Sequence, residues 1–148
     1  MVTDVVLMLF KRDLAKLKTE LSQYQSEAAI WKTESGISNS AGNLTLHLLG
    51  NLHAFIGTHI GQTGYVRQRE LEFSQKDIAR ETLLQQIDET IAMVEKALSG
   101  LSEEQLKADF PIEMQNAKRA TGDVLVLLTV HLAYHLGQIN YHRRLLDK

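Results

Sequence analysis

The stretch VHLAYHLGQINYH, residues 130–142, holds three of the six histidines in a chain of 148 residues. His131 and His135 stand four apart. A helix turns about 100° per residue, so their rings lie about 40° apart on one stripe, one turn from each other. Two imidazoles placed this way can reach a single divalent ion. The stripe continues through Val124, Leu127 and Leu128 on one side and through Gln138, His142 and Leu145 on the other. Its apolar members turn it toward a core. His142 shares the direction but lies about 10 Å further along the axis from His135, at about 1.5 Å rise per residue. It is expected at the bundle end, in a partner contact or in solvent, beyond reach of the same ion.

A third ligand must come from another element. His47, His53 and His59 are spaced by six, which rotates the helical wheel about 240° per step, so they point three ways and at most one can join. Around His47 the stripe reads Asn43, Gly50, Asn51, Ala54 and Thr58, flanked by Leu44, Leu48 and Phe55. Small and polar residues beside a few apolar ones suggest a cavity wall, which favours His47. His53 and His59 are expected to be structural or exposed. Asn51 and Gln138, each on a histidine stripe, could hydrogen-bond a substrate or support a ligand. Two readings stay open at this point: a metal site, or hydrogen-bonded core histidines. Spacing alone does not establish that two helices face each other at matching height.

Three neutral imidazoles would leave a divalent ion with open positions, as catalytic sites do. Such an ion lowers the pKa of a water or thiol, or polarises a carbonyl. All-nitrogen ligation suits zinc, nickel, copper or iron. Hydrolysis would normally add a general base, and no carboxylate falls on the inner stripes of the two histidine-bearing helices. That weakens a hydrolytic reading, unless the first helix or a loop supplies the base. A substrate pocket would draw on Trp31, Phe55 or the segment 61–75, and no catalytic residue is assigned.

The elements that must position these residues are helices, in keeping with one proline and nine glycines in the whole chain. Leu7, Phe10, Leu14, Leu17, Leu21, Tyr24, Ala28 and Trp31 alternate steps of three and four along a first helix. The Ser-, Gly- and Asn-rich segment 34–43 breaks that pattern. A second helix should start near Ser40 and end in the glycines of 57–64. A third is expected after Ser74, with Ser74 and Asp77 as a capping box. Its buried stripe is Leu84, Ile87, Ile91, Val94 and Leu98, and Gly100 stops it. SEEQL, 102–106, suggests one capped turn. The segment 108–122 looks irregular, with Pro111 limiting any extended piece to an edge. A last helix runs from about Asp123 to Leu146. The expected fold is all-α: a four-helix bundle forming one domain, 1–148, with a short extra helical turn and an irregular segment before the last helix.

Composition narrows the function. Sixteen Lys and Arg against 18 Asp and Glu leave a net charge of −2, with no concentrated basic surface for nucleic acid. The absence of cysteine removes disulfides, zinc-thiolate sites and cysteine nucleophiles, and leaves histidine and carboxylate as the strong metal ligands. The N-terminal apolar run is too short for a signal peptide, and VLVLLTV, 124–130, is too short for a membrane span. The expectation is a soluble, cytoplasmic protein.

Two stretches carry a family resemblance. NLTLHLLGNL, 43–52, sets one histidine among apolar and small residues, and HLAYHLGQINYHRRLL, 131–146, has an HxxxH pair followed by a Gly-Gln-hydrophobic step. In these stretches and in its layout the chain resembles the DinB-like (YfiT-like) family of metal-dependent four-helix-bundle proteins. The resemblance implies a histidine triad, here His47, His131 and His135, holding a divalent metal such as zinc or nickel. It also implies a homodimer, and a small-molecule substrate used with a low-molecular-weight thiol by a transferase or isomerase. A metal-dependent hydrolase, or a metal- or ligand-binding bundle without turnover, is the alternative.

Overall fold

The computed structural model describes residues 2–148, all-α with no strand among them. Four long helices form the frame: α1 (Val2–Gln23), α2 (Ala41–Leu52), α4 (Arg80–Leu98) and α6 (Thr121–Leu146). Two short ones, α3 (Arg69–Ser74) and α5 (Glu103–Lys107), join them. A 3₁₀ segment, Glu27–Trp31, follows α1, and a π-helical turn, His53–Thr58, extends α2. α1 packs against α4 and α6, and α2 packs against the same two from the opposite side. α3 and the 3₁₀ segment then cover the outer face of α2. For that reason every residue of α2 is buried, whereas α1 buries one stripe, Val6, Phe10, Leu14, Leu17 and Leu21, at the spacing of a surface helix.

Several boundaries depart from the sequence expectation. The α1 stripe stops with the helix at Gln23 and with Tyr24 just beyond it. Ala28 is exposed, and Trp31 belongs to the separate 3₁₀ segment. Ser74 and Asp77 form no capping box. Ser74 ends α3, Asp77 has a left-handed φ of 59°, and α4 starts at Arg80 after an uncapped Ala79. The core face of α4 is Leu83, Ile87, Thr90, Val94 and Leu98, so Leu84 and Ile91 flank it rather than form it.

Other expectations hold. Ser40 caps α2 by accepting from the Asn43 amide at 3.0 Å. Ser102 and Gln105 make the reciprocal capping box of α5. The 108–122 segment folds back on itself through single bridges, Asp109 to Ala120 and Met114 to Ala117. α6 has the length and composition to cross a bilayer, more than the apolar run at 124–130 suggested. It nonetheless packs along α1 and α2 and sends Val124, Leu125, Leu128, Leu132 and Ile139 into the core. Core helices of water-soluble bundles share this composition.

Candidate metal centre

α2 and α6 meet where their histidines lie. His47, buried on α2, places Nε2 3.2 Å from Nε2 of His131 on α6. His135, one turn further along α6, places its own Nε2 3.1 Å from the same atom. The three candidate ligand atoms all lie within 4.8 Å of one another. Nitrogens bound about 2.0–2.1 Å from a tetrahedral ion stand about 3.3–3.4 Å apart, close to these separations. The three rings meet edge to face, with interplanar angles of 81° to 90°.

What lies behind each ring fixes which nitrogen carries its proton. Nδ1 of His47 lies 3.1 Å from Glu72 Oε1 and 3.3 Å from Arg67 Nη2, and the nearer carboxylate takes its proton; Nδ1 of His135 donates to Gln138 Oε1 at 2.6 Å. A carboxylate and an amide oxygen can only accept, so both rings turn lone pairs toward His131. Nδ1 of His131 is buried without a partner. Two lone pairs converging on a third nitrogen are matched either by a proton on His131 Nε2 or by a metal ion among the three. Burial, and then the charges of His135, His47 and Arg67, push the His131 pKa down to about 4, which keeps the ring neutral at physiological pH. Burial also lowers His135, against the hydrogen bond to Gln138. A neutral, all-nitrogen donor set with its lone pairs gathered fits a divalent ion.

Glu72 is the residue that sequence reasoning missed. It sits on α3, a two-turn helix in a stretch without periodicity. Burial raises its pKa, but hydrogen bonds from His47 and Arg67 and the Arg67 charge outweigh that, and it lies below the usual carboxylate value. Arg67 grips both oxygens, Nε to Oε2 and Nη2 to Oε1, each at 2.9 Å. The polar stripe of α2 expected to wall a cavity mainly seats α3, and of its members Gly50 alone also borders a cleft. Asn43 Nδ2 donates to the carbonyls of Glu72 and Gln75, and a side chain at Gly50 would collide with Glu72. Gly50, sharing His47's stripe, was the legible trace of this packing.

The sequence model of a family described as "Protein of unknown function (DUF1572)" matches residues 4–148. The chain belongs to the DUF1572 family. That family belongs to the DinB/YfiT-like superfamily. No curated protein matches the chain significantly.

In this DUF1572 protein the other expected residues fall as follows. Gln138 stands behind His135, as above, and Asn51 is buried with Oδ1 unpartnered. His53 Nε2 meets the Thr90 hydroxyl at 3.1 Å, and His59 packs edge-on to Phe110. Both are outside the cluster. His142 is buried at the bundle end rather than in solvent, held by Tyr24 and the Lys32 carbonyl. Of the candidate pocket residues, Phe55 packs on Phe110 and Trp31 lies over Gly42. Only the 61–75 segment reaches the centre, bringing Arg67, Glu72 and Phe73, whose ring lies 5.0 Å from that of His47. A cleft of about 410 Å³ opens on the other side of this segment, between α2 and α4, with Gly50, His53, Tyr65, Glu72 and Thr90 on its walls.

Proposed function

We propose that the chain binds one divalent metal ion, zinc or nickel, through Nε2 of His47, His131 and His135, and uses it as a small-molecule transferase acting with a low-molecular-weight thiol. The observation that carries the metal reading is the convergence of two acceptor-locked lone pairs on a third imidazole nitrogen. A divalent ion held there supplies Lewis acidity, favouring the thiolate form of a thiol and polarising an electrophile. The chain's own residues orient the rings: Glu72 and Gln138 hold the Nδ1 protons of His47 and His135.

Glu72 also favours transfer over hydrolysis. It meets His47 at Nδ1, the edge of the ring away from the cluster, and Arg67 engages both of its oxygens. A carboxylate so occupied is poorly placed to take a proton at the Nε2 side. The metal-dependent hydrolase is therefore the second reading, and a binding bundle without turnover the third.

The proposal extends to a cytoplasmic homodimer that binds neither nucleic acid nor membrane. Val126, Val130, Tyr134, Tyr141 and Leu145 leave an exposed apolar stripe along α6 that a second copy would cover. The deciding measurement is metal content by mass spectrometry of protein made without an affinity tag, before and after His47→Ala. One equivalent that disappears in the variant supports the site, and equal trace amounts in both would sink it. Turnover of a panel of thiols with electrophiles, lost on chelation, separates the transferase from the other two readings.

A further inference from the structure

The three histidines are not equivalent, because three different things stand behind them. His47 has a carboxylate, with the Arg67 guanidinium that grips it 3.3 Å from the same nitrogen; His135 has an amide oxygen on an exposed side chain, and His131 no partner at Nδ1. A hydrogen bond to a charged acceptor is roughly twice as strong as one between neutral groups. It also makes the imidazole a better donor on its other nitrogen.

We propose that Glu72 is the positioning residue of the metal centre, fixing the tautomer and angle of His47 and making that ring its strongest donor. The inference rests on the metal reading above and adds a residue and a hierarchy to it. The surroundings of Glu72 are built to deliver it. Oε2 lies over Gly50, where an added Cβ would stand 2.0 Å away, so glycine at this position lets the carboxylate approach. Asn43, one turn before His47 on the same helix, holds the Glu72 backbone carbonyl at 2.9 Å and that of Gln75 at 2.8 Å. Asn43 is itself fixed, its Oδ1 accepting from the Ser40 hydroxyl at 2.7 Å and from Lys76 at 2.6 Å. Arg67 then sets the plane of the carboxylate through both oxygens. Backbone, side-chain plane and clearance thus come from three neighbours, Asn43, Arg67 and Gly50, and the remaining hydrogen bond of Oε1 goes to His47.

Zinc affinity measured by chelator competition tests the inference in wild type, Glu72→Gln and Gln138→Ala. Glu72→Gln keeps the shape and removes the charge. Its zinc affinity should fall by about 10- to 100-fold, with the melting temperature of the zinc-free protein little changed, and Gln138→Ala should lose less. Equal affinity in wild type and Glu72→Gln, or a larger loss in Gln138→Ala, would overturn it. Imidazole ¹⁵N NMR of the zinc-free wild type needs no variant. His47 should carry its proton on Nδ1, and a proton on Nε2 would refute the role assigned to Glu72. Failure of wild type to bind zinc, nickel or another divalent ion would instead remove the metal reading, and this inference with it.

Discussion

The two ends of the histidine stripe on α6 treat an inward-facing imidazole in opposite ways. At the C-terminal end, His142 Nε2 donates to the Lys32 carbonyl at 2.9 Å, and Nδ1 accepts the Tyr24 hydroxyl at 2.7 Å. Three turns earlier, His131 presents Nε2 to two other Nε2 atoms and leaves Nδ1 without a partner. Burial lowers the pKa of both rings, so the direction of that shift does not distinguish them. The match of partner atoms does. Donor faces acceptor around His142, which ties the chain after α1 to the end of α6. Nitrogen faces nitrogen around His131, an arrangement matched by a proton on its Nε2 or by a metal ion among the three.

Exchanging the two losses breaks the comparison most directly. His131→Ala should abolish stoichiometric metal binding, whereas His142→Ala should keep it. The second variant should instead lose about 2–4 kcal/mol of stability, because it leaves a buried cavity and strands the Tyr24 hydroxyl and the Lys32 carbonyl. Equilibrium dialysis and denaturant melts read the two effects separately. Metal loss in His142→Ala, with binding intact in His131→Ala, would reverse the assignment. Linkage gives a second measure of the same contrast. Free zinc at about one hundred times its Kd should stabilise wild type and His142→Ala by about 2.7 kcal/mol and leave His131→Ala unmoved.

The contrast also explains how much could be read from the residues. The helical wheel selected His131 and His135 because spacing of four fixes two rings on one face whatever packs around them. It set His142 aside by axial rise, and the structure puts His142 in a separate network. His47 was legible from the polar company on its stripe, but the purpose of that company was not. Asn43 lines no cleft, and Gly50, although it borders the cleft between α2 and α4, is there chiefly to seat Glu72. Glu72 comes from a segment whose course is set by tertiary contacts, among them Asn43 to two of its carbonyls, and no period in the sequence encodes those. Ser74 and Asp77 misled for a related reason: a helix end and a left-handed turn use the same residue types as a helix start.

Gly50→Ala sharpens the point at smaller cost to the protein. The new methyl would meet Oε2 and the carboxyl carbon of Glu72. Forcing them apart should destabilise by about 1–3 kcal/mol. Because the displaced group is the acceptor for His47 Nδ1, zinc affinity should fall as well. An exposed glycine with open space, Gly137, is the control: Gly137→Ala meets nothing within 4 Å and should leave metal binding unchanged. A stability loss at Gly50 with unaltered zinc affinity would separate the packing of α3 from the metal centre.

The smallest effect concerns pH, where the two ends of the stripe act alike. His142 lies below the ordinary imidazole value of 6.5, chiefly through burial, with the Lys32 charge adding to it and the hydrogen bond to the Lys32 carbonyl opposing it. His131, His135 and His53 are lowered too, burial again leading. Below about pH 6.5 the unfolded chain therefore binds more protons than the folded one, and stability rises with pH. The contribution is fully present above that pH and is lost as pH falls through it toward the folded values. Zinc-free protein should accordingly melt at progressively lower temperature between pH 7 and pH 5. His142→Gln, which cannot titrate, should melt lower at pH 7 and lose less on acidification. A parallel shift at every pH would mean that His142 holds the bundle end without resisting protonation. Its burial would then be irrelevant to the acid response, and His131, His135 and His53 would account for it.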